Sequence, residues 1–307
     1  MESDSSSSSS SSSLPVWQGL AAGAVSGLTA RIVTFPTDTL KARLQIRGAI
    51  NADAVYSSTL SAARHMVATE GLLGFYQGFG AVLWGVVPAN LAYFGGYELG
   101  KAVMPSQWGM AGDMATGALA QVLAGVVYTP IDIVKERMQV QALMQGSYSY
   151  ASPRQAFKAL SGGGQGVRGL FRGYWATNCV WLPWNSLYIA GYEQLKMQST
   201  LALQLSDARE LPPLVVASCS AAAAAGAAVV THPFDVVKTR LQVLTGQQSA
   251  QSLTALKVAQ QQLRTEGPGS FWHGLTPRLL NIAPGCALSW AMYEWLKGWL
   301  DSGDEQR

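Results

Sequence analysis

Three times along the chain an aspartate is followed three residues later by a lysine: Asp38 and Lys41, Asp132 and Lys135, Asp235 and Lys238. Each pair stands two residues after a proline, Pro36, Pro130 or Pro233, and each run ends in an arginine and then a glutamine, Gln45, Gln139 or Gln242. Residues three apart share one face of a helix, so each acid and its following base project together. A second set has the same spacing: Tyr97-Glu98 with Lys101, Tyr192-Glu193 with Lys196, and Tyr293-Glu294 with Lys297. Acids and bases arranged in this way, with no nucleophile among them, make and break ion pairs rather than covalent bonds. Isolated surface pairs contribute only about 0.2–0.5 kcal/mol each, and that reading leaves the threefold recurrence without a cause.

The parts that catalysis needs are missing. His65, His232 and His273 fall in no HExxH pattern, and the glycine run 162–166 lacks the Lys-Ser/Thr that completes a phosphate loop. Cys179, Cys219 and Cys286 lie far apart and form no CxxC pair, so they read as packed thiols rather than a zinc site or disulfide framework. No EF-hand pattern is present. The chain is therefore expected not to be an enzyme and to hold neither a metal nor a cofactor. A net charge of +3 without basic clusters gives no footprint for nucleic acid.

The elements carrying these charges must be unusually apolar. Only 13% of residues are charged and 49% are hydrophobic, whereas soluble domains carry about 25% charged residues. Six stretches run free of charge: Leu14 to Ala30, Gly71 to Tyr97, Met114 to Ile131, Gly173 to Tyr192, Leu211 to Thr231 and Leu279 to Tyr293. A helix needs about 20 residues to cross the hydrocarbon of a bilayer, so these runs predict six transmembrane helices rather than a soluble bundle. Pro36, Pro130 and Pro233 fall inside the odd helices and are expected to kink them towards a common centre. Gly19, Gly23 and Gly27, and the alanine run 221–225 with Gly226, suggest close helix approach. The long connections carry Arg47 and Arg64, then Arg154, Lys158 and Arg168, then Lys257 and Arg264, while the short ones offer Arg209. By the positive-inside rule the long loops share one side and both termini lie on the other. The polyserine tract Ser5 to Ser13 cannot bury apolar surface and is expected to be disordered.

The motifs repeat at about one hundred residues. Between the charged sets lies another signature: Glu70-Gly71 to Tyr76-Gln77-Gly78, Gln165-Gly166 to Phe171-Arg172-Gly173, and Glu266-Gly267 to Trp272-His273-Gly274. Three repeats of P-x-D-x-x-K-x-R, acidic-Gly to aromatic-x-Gly, and Y-E-x-x-K resemble the mitochondrial carrier family over nearly the whole chain. Gln165 departs from the usual acid, and Gln77 and His273 depart from the usual base. The resemblance implies an all-α membrane protein of six transmembrane helices, in three tandem two-helix repeats with pseudo-threefold symmetry around a central cavity. Its repeats would be 14–105, 106–209 and 210–302, after the Ser-rich segment 1–13. It also implies a monomer in the mitochondrial inner membrane, with termini towards the intermembrane space, membrane lipid around it and a small-molecule substrate; a plastid or peroxisomal membrane is the alternative. By resemblance, Asp38 pairs with Lys135, Asp132 with Lys238 and Asp235 with Lys41 as a matrix gate braced by the three glutamines. Glu98 would pair with Lys196, Glu193 with Lys297 and Glu294 with Lys101 as a cytoplasmic gate braced by Tyr97, Tyr192 and Tyr293. Alternating access follows, with a non-transporting membrane adaptor as the rival reading.

Family substrate contacts precede a proline of each even helix by three residues, which here gives Gly85, Val180 with Trp181 beside it, and Asn281; Arg31 on the first helix joins them. An arginine facing a low-dielectric cavity attracts a carboxylate or phosphate. Uncharged partners at the other contacts disfavour di- and tricarboxylates and nucleotides. A monocarboxylate or amino acid would place its carboxylate at Arg31, its polar end at Asn281 and its apolar part against Trp181. Trp84, Trp184 and Tyr188 could extend an aromatic wall, although aromatic residues at helical spacing more often pack or face lipid.

Overall fold

The computed structural model describes residues 16–50, 56–105, 107, 110–144, 147–162, 166–205, 207–244, 254–282, 284, 285 and 288. Among these every regular element is helical. Five helices are long: α1 Val16–Ile46, α3 Phe79–Val103, α4 Met110–Val140, α6 Tyr174–Ala202 and α7 Pro213–Leu244. Each contains one of the prolines Pro36, Pro88, Pro130, Pro183 and Pro233 in its interior, so proline is accommodated in these helices without ending them. The axis turns by 47° between Leu72–Gly85 and Val87–Val103, just ahead of Pro88. A further helical stretch covers 275–282. Apart from 284, 285 and 288, the rest of the sixth expected span, including Tyr293, lies outside the described residues, as do Glu294, Lys297, the polyserine tract, Gln165 and Cys286.

Among the described residues, Met114–Leu143 and Pro213–Leu244 are long and apolar enough to cross a membrane, and the bent pair, taken as one span, would make a third. Helices that turn a polar face inwards need not be apolar all round.

The long connections fold in one way. Short helices α2 Thr59–Glu70, α5 Pro153–Gly162 and α8 Ala255–Glu266 are each followed by a 3-10 turn, at Leu72–Tyr76, Gly166–Phe171 and Pro268–Trp272. Ser58 and Ser61 form a capping box on α2, and Thr254 caps α8 by accepting from the Lys257 amide.

Contacts divide the chain into two units, Phe35–Ala283 and a smaller one of Met1–Thr34 with Pro284–Arg307. In the smaller unit the Thr34 hydroxyl donates to the Ala30 carbonyl at 2.9 Å. In the larger, Leu40, Leu44, Tyr56, Met66 and Phe75 pack α1 on α2, and Ile133, Val134, Met138, Ala156 and Leu170 pack α4 on α5. Ala42, Ile46, Val140, Met144, Tyr148 and Val243 make a third apolar cluster from α1, α4, α7 and the segment before α5.

Close helix approach is seen along α3. A Cβ added at Gly27 or Gly226 would meet nothing within 4 Å, whereas on α3 one at Gly96 would lie 3.0 Å from Ala120 Cα and one at Gly100 2.7 Å from Thr116 Cγ2. The small residues that matter are those where α3 lies along α4.

Candidate functional site: a ring of ion pairs

The second halves of α1, α4 and α7 bring their motifs together. Lys41 Nζ lies 2.6 Å from Asp235 Oδ2, Lys238 Nζ lies 2.7 Å from Asp132 Oδ2, and Lys135 pairs with Asp38. Each lysine thus reaches the aspartate of another repeat and not the one on its own turn. The side chains are largely buried, Asp235 and Lys238 at 7% exposure. A buried pair gains stability only where its geometry and hydrogen bonding are good.

The arginines close a second ring. Arg43 Nε donates to the Gln139 carbonyl at 2.9 Å, Arg137 Nε to that of Gln242 at 3.1 Å, and Arg240 Nε to that of Gln45 at 2.8 Å. Arg43 also grips Glu70, and Arg240 grips Glu266, through two parallel bonds whose Nη2 to Oε2 arm is 2.8 Å in each case. In the second repeat, where Gln165 replaces the acid, Arg137 lies over the Tyr148 ring at 5.5 Å. Burial holds the Tyr148 hydroxyl above its usual range. The glutamine side chains serve different partners. Gln45 donates to Asp235 Oδ2 at 2.9 Å, Gln139 to the Thr39 hydroxyl at 3.2 Å and Gln242 to the Thr177 hydroxyl at 3.3 Å.

Glycine sets the seams between repeats. Gly78, Gly173 and Gly274 have φ of +85°, +91° and +84°, a region that side-chain-bearing residues avoid. A Cβ would stand 2.9 Å from the Lys135 carbonyl oxygen at Gly78, 3.2 Å from Gln242 Cγ at Gly173 and 3.1 Å from the Lys41 carbonyl oxygen at Gly274.

The seam at Asp235 is the most crowded. Arg278 Nη1 lies 3.4 Å from Asp235, and its Nη2 donates to the Thr231 hydroxyl at 3.1 Å. His232 is fully buried, with Nε2 3.1 Å from the His273 carbonyl and its ring stacked on Trp272. It packs beside the kink.

The other charged set is apart. Glu98 lies 3.7 Å from Lys101 on its own helix, both strongly exposed, and neither Glu193 nor Lys196 joins an ion pair among the described residues. Lys101 sits over the Tyr97 ring at 4.6 Å and Lys196 over the Tyr192 ring at 5.7 Å, so these tyrosines offer ring faces to the lysines.

Of the substrate-contact candidates, Arg31 is exposed on α1. Gly85 is packed: a Cβ there would meet Ile131 Cδ1 at 2.5 Å. Val180 is buried at 3% exposure, while Trp181 beside it is open at 40%. Asn281 donates to the Thr37 hydroxyl at 3.1 Å. Trp181, Trp184, Tyr188 and Tyr192 form a ladder along α6: Trp181 meets Trp184 edge-on, Trp184 stacks on Tyr188 at 5.2 Å, and Tyr188 stacks on Tyr192. The Tyr188 hydroxyl meets Ser220 of α7 at 2.9 Å. Trp84 instead carries the Arg154 guanidinium over its ring at 4.2 Å.

A threefold ring of Asp–Lys pairs built from proline-containing helices is a structural signature, and the family model described as "Mitochondrial carrier protein" matches at 12–108, 106–200 and 209–303. The chain belongs to the mitochondrial carrier family. It is 33% identical to "Mitochondrial substrate carrier family protein E" of Dictyostelium discoideum, over 91% of this chain and 94% of the relative. It is 29% identical to "Mitoferrin" of the same organism, over 91% and 92%, and 32% identical to the "Mitochondrial glycine transporter" of Rattus norvegicus, over 91% and 83%. Members of this all-α family are transporters rather than enzymes, and this mitochondrial carrier moves a metabolite across a membrane.

Proposed function

We propose that this carrier moves a small anionic or zwitterionic metabolite, of the amino-acid or monocarboxylate class, across the mitochondrial inner membrane by alternating access. The observation that supports it is the contrast between the two charged sets. All three Asp–Lys pairs are made, whereas Glu98 and Lys196, the one expected pair of the second set with both members among the described residues, do not meet, Glu98 lying 3.7 Å from Lys101 of its own turn. On this reading Asp38, Lys41, Asp132, Lys135, Asp235 and Lys238 are the matrix gate, with Gln45, Gln139 and Gln242 beside it. Glu98, Lys101, Glu193, Lys196, Glu294 and Lys297, with Tyr97, Tyr192 and Tyr293, are the opposite gate, and the termini face the intermembrane space. A shut ring stabilises one state, and substrate must bind the intervening state well enough to offset its opening.

The substrate class is supported residue by residue. Arg31 is an exposed cation on α1 suited to a carboxylate. Trp181 offers an open apolar face, and Asn281 a polar group already engaged with Thr37. Gly85 and Val180, both packed, shape the helices rather than touch the solute. A dianion needs several cations to offset its desolvation. The name of the rat glycine transporter accords with this class.

The test is reconstitution of the purified protein in liposomes and a screen against amino acids, monocarboxylates, dicarboxylates and nucleotides. Uptake or exchange confined to the first two classes is expected. Exchange of dicarboxylates or nucleotides alone would reject the substrate class. No exchange of any class by folded protein would favour a membrane adaptor.

A further inference from the structure

Glu136 stands between the lysine and arginine of the second motif, where the first has Ala42 and the third Thr239. All three positions are buried, at 6%, 2% and 0% exposure. Ala42 packs with Ile46, Val140 and Val243, so this layer continues into the apolar cluster beyond the ion-pair ring. An acid in such a layer needs a partner. Yet among the described residues Glu136 joins no ion pair, and its Oε2 has no hydrogen-bond partner.

The groups facing it are already committed. Lys135 of its own helix, Lys238 of α7 and Lys41 of α1 favour its ionised form, while burial and Asp38 of α1 oppose it, and Tyr148 acts on it from the segment before α5. Each of the three lysines is held by an aspartate, two of them at 2.6 and 2.7 Å, so the ring presents dipoles rather than free charge. Arg137, the next residue along, turns to the Gln242 carbonyl and the face of Tyr148. A buried carboxylate oxygen without a donor, such as Oε2 here, is costly, and a proton offsets that cost.

We propose that Glu136 is a proton-binding site of the gate, protonated while the ring is shut and ionised when opening admits water. The proposal rests on the gate reading above. On opening, the carboxyl O–H breaks and the proton passes to water on the side of α2, α5 and α8; on closing it returns. The open state therefore binds one proton fewer. Acid on that side favours the shut ring and alkali the open one, by at most about tenfold per pH unit.

Two measurements test this on the full-length protein. Infrared difference spectra of substrate-free wild type against Glu136→Gln at neutral pH should contain a protonated-carboxyl C=O band that the variant lacks; a wild type without it overturns the site. In liposomes with the two sides buffered separately, acidifying the side of the short helices by one unit should slow wild-type exchange several-fold, up to about tenfold. Glu136→Gln and Glu136→Thr, the second being the residue of the third repeat, should not respond, and Glu136→Gln should run at the slow acid-limit rate. A pH response that survives in both overturns the proposal. If the band is present but charge reversal at Asp132 and Lys238 finds no coupling, the gate reading fails, and the tie between proton and opening fails with it.

Discussion

Lys238 of α7 meets Asp132 of α4 at 2.7 Å although 106 residues separate them in the chain. The contact joins the third repeat to the second, and it is the place where removing one charge can be answered by restoring it elsewhere.

Asp132→Lys and Lys238→Asp should each slow exchange at least tenfold, because each leaves like charges facing at a largely buried site, a situation that costs about 3–5 kcal/mol for a broken buried pair. The double reversal should recover part of the rate. Exchange measured for all four proteins gives the coupling energy, expected at about 0.5–3 kcal/mol. Additive losses would show that the two residues act separately.

The braces behind the ring predict a loss of stability. Glu70→Gln or Glu266→Gln leaves Arg43 or Arg240 buried with its carbonyl partner but without a carboxylate. Each should destabilise the protein by about 3 kcal/mol, read as a lower melting temperature in detergent. Unchanged melting in both variants would mean that the paired bonds contribute little.

Two glycines with positive φ separate conformation from contact. Gly71, at φ +71° and ψ −173°, faces open space, whereas Gly78, at φ +85° and ψ −4°, abuts the Lys135 carbonyl. Alanine at Gly71 should cost about 1–3 kcal/mol, read as a lower melting temperature, for a backbone region that is essentially glycine's own, and should leave exchange unchanged. Alanine at Gly78 should lower the melting temperature and also slow exchange, since it pushes on the helix that carries Lys135. Unchanged exchange in the Gly78 variant would refute the contact.

The substrate reading makes the last prediction. Arg31→Gln should abolish exchange of carboxylate-bearing substrates, and Trp181→Ala should flatten selectivity among their apolar groups. A competition series of amino acids with growing side chains measures both effects. Full uptake by Arg31→Gln would remove its proposed role.

The ring was legible because acids and bases at fixed spacing advertise themselves three times over, at Asp38, Asp132 and Asp235 and at Lys41, Lys135 and Lys238. Arginine donation to the carbonyls of Gln45, Gln139 and Gln242 was not, since every residue has a carbonyl and sequence does not mark the one that will be used. The roles of Gly78, Gly173 and Gly274 were visible as a motif but not as left-handed seams between repeats. Glu136 escaped for the opposite reason: a search for repetition passes over the residue that breaks it. The close approach at Gly96 and Gly100 was not legible, because it is decided by which helices are neighbours.

The lysine seams run head to tail from the first repeat to the second, the second to the third and the third back to the first. A closed circuit of three has no free end from which to unzip. Moving one repeat away breaks two seams at once, so partial opening already sacrifices most of what full opening would. On the gate reading, such a barrier insulates by topology: a brief excursion of a single repeat loses two of the three seams and gains nothing that transport returns.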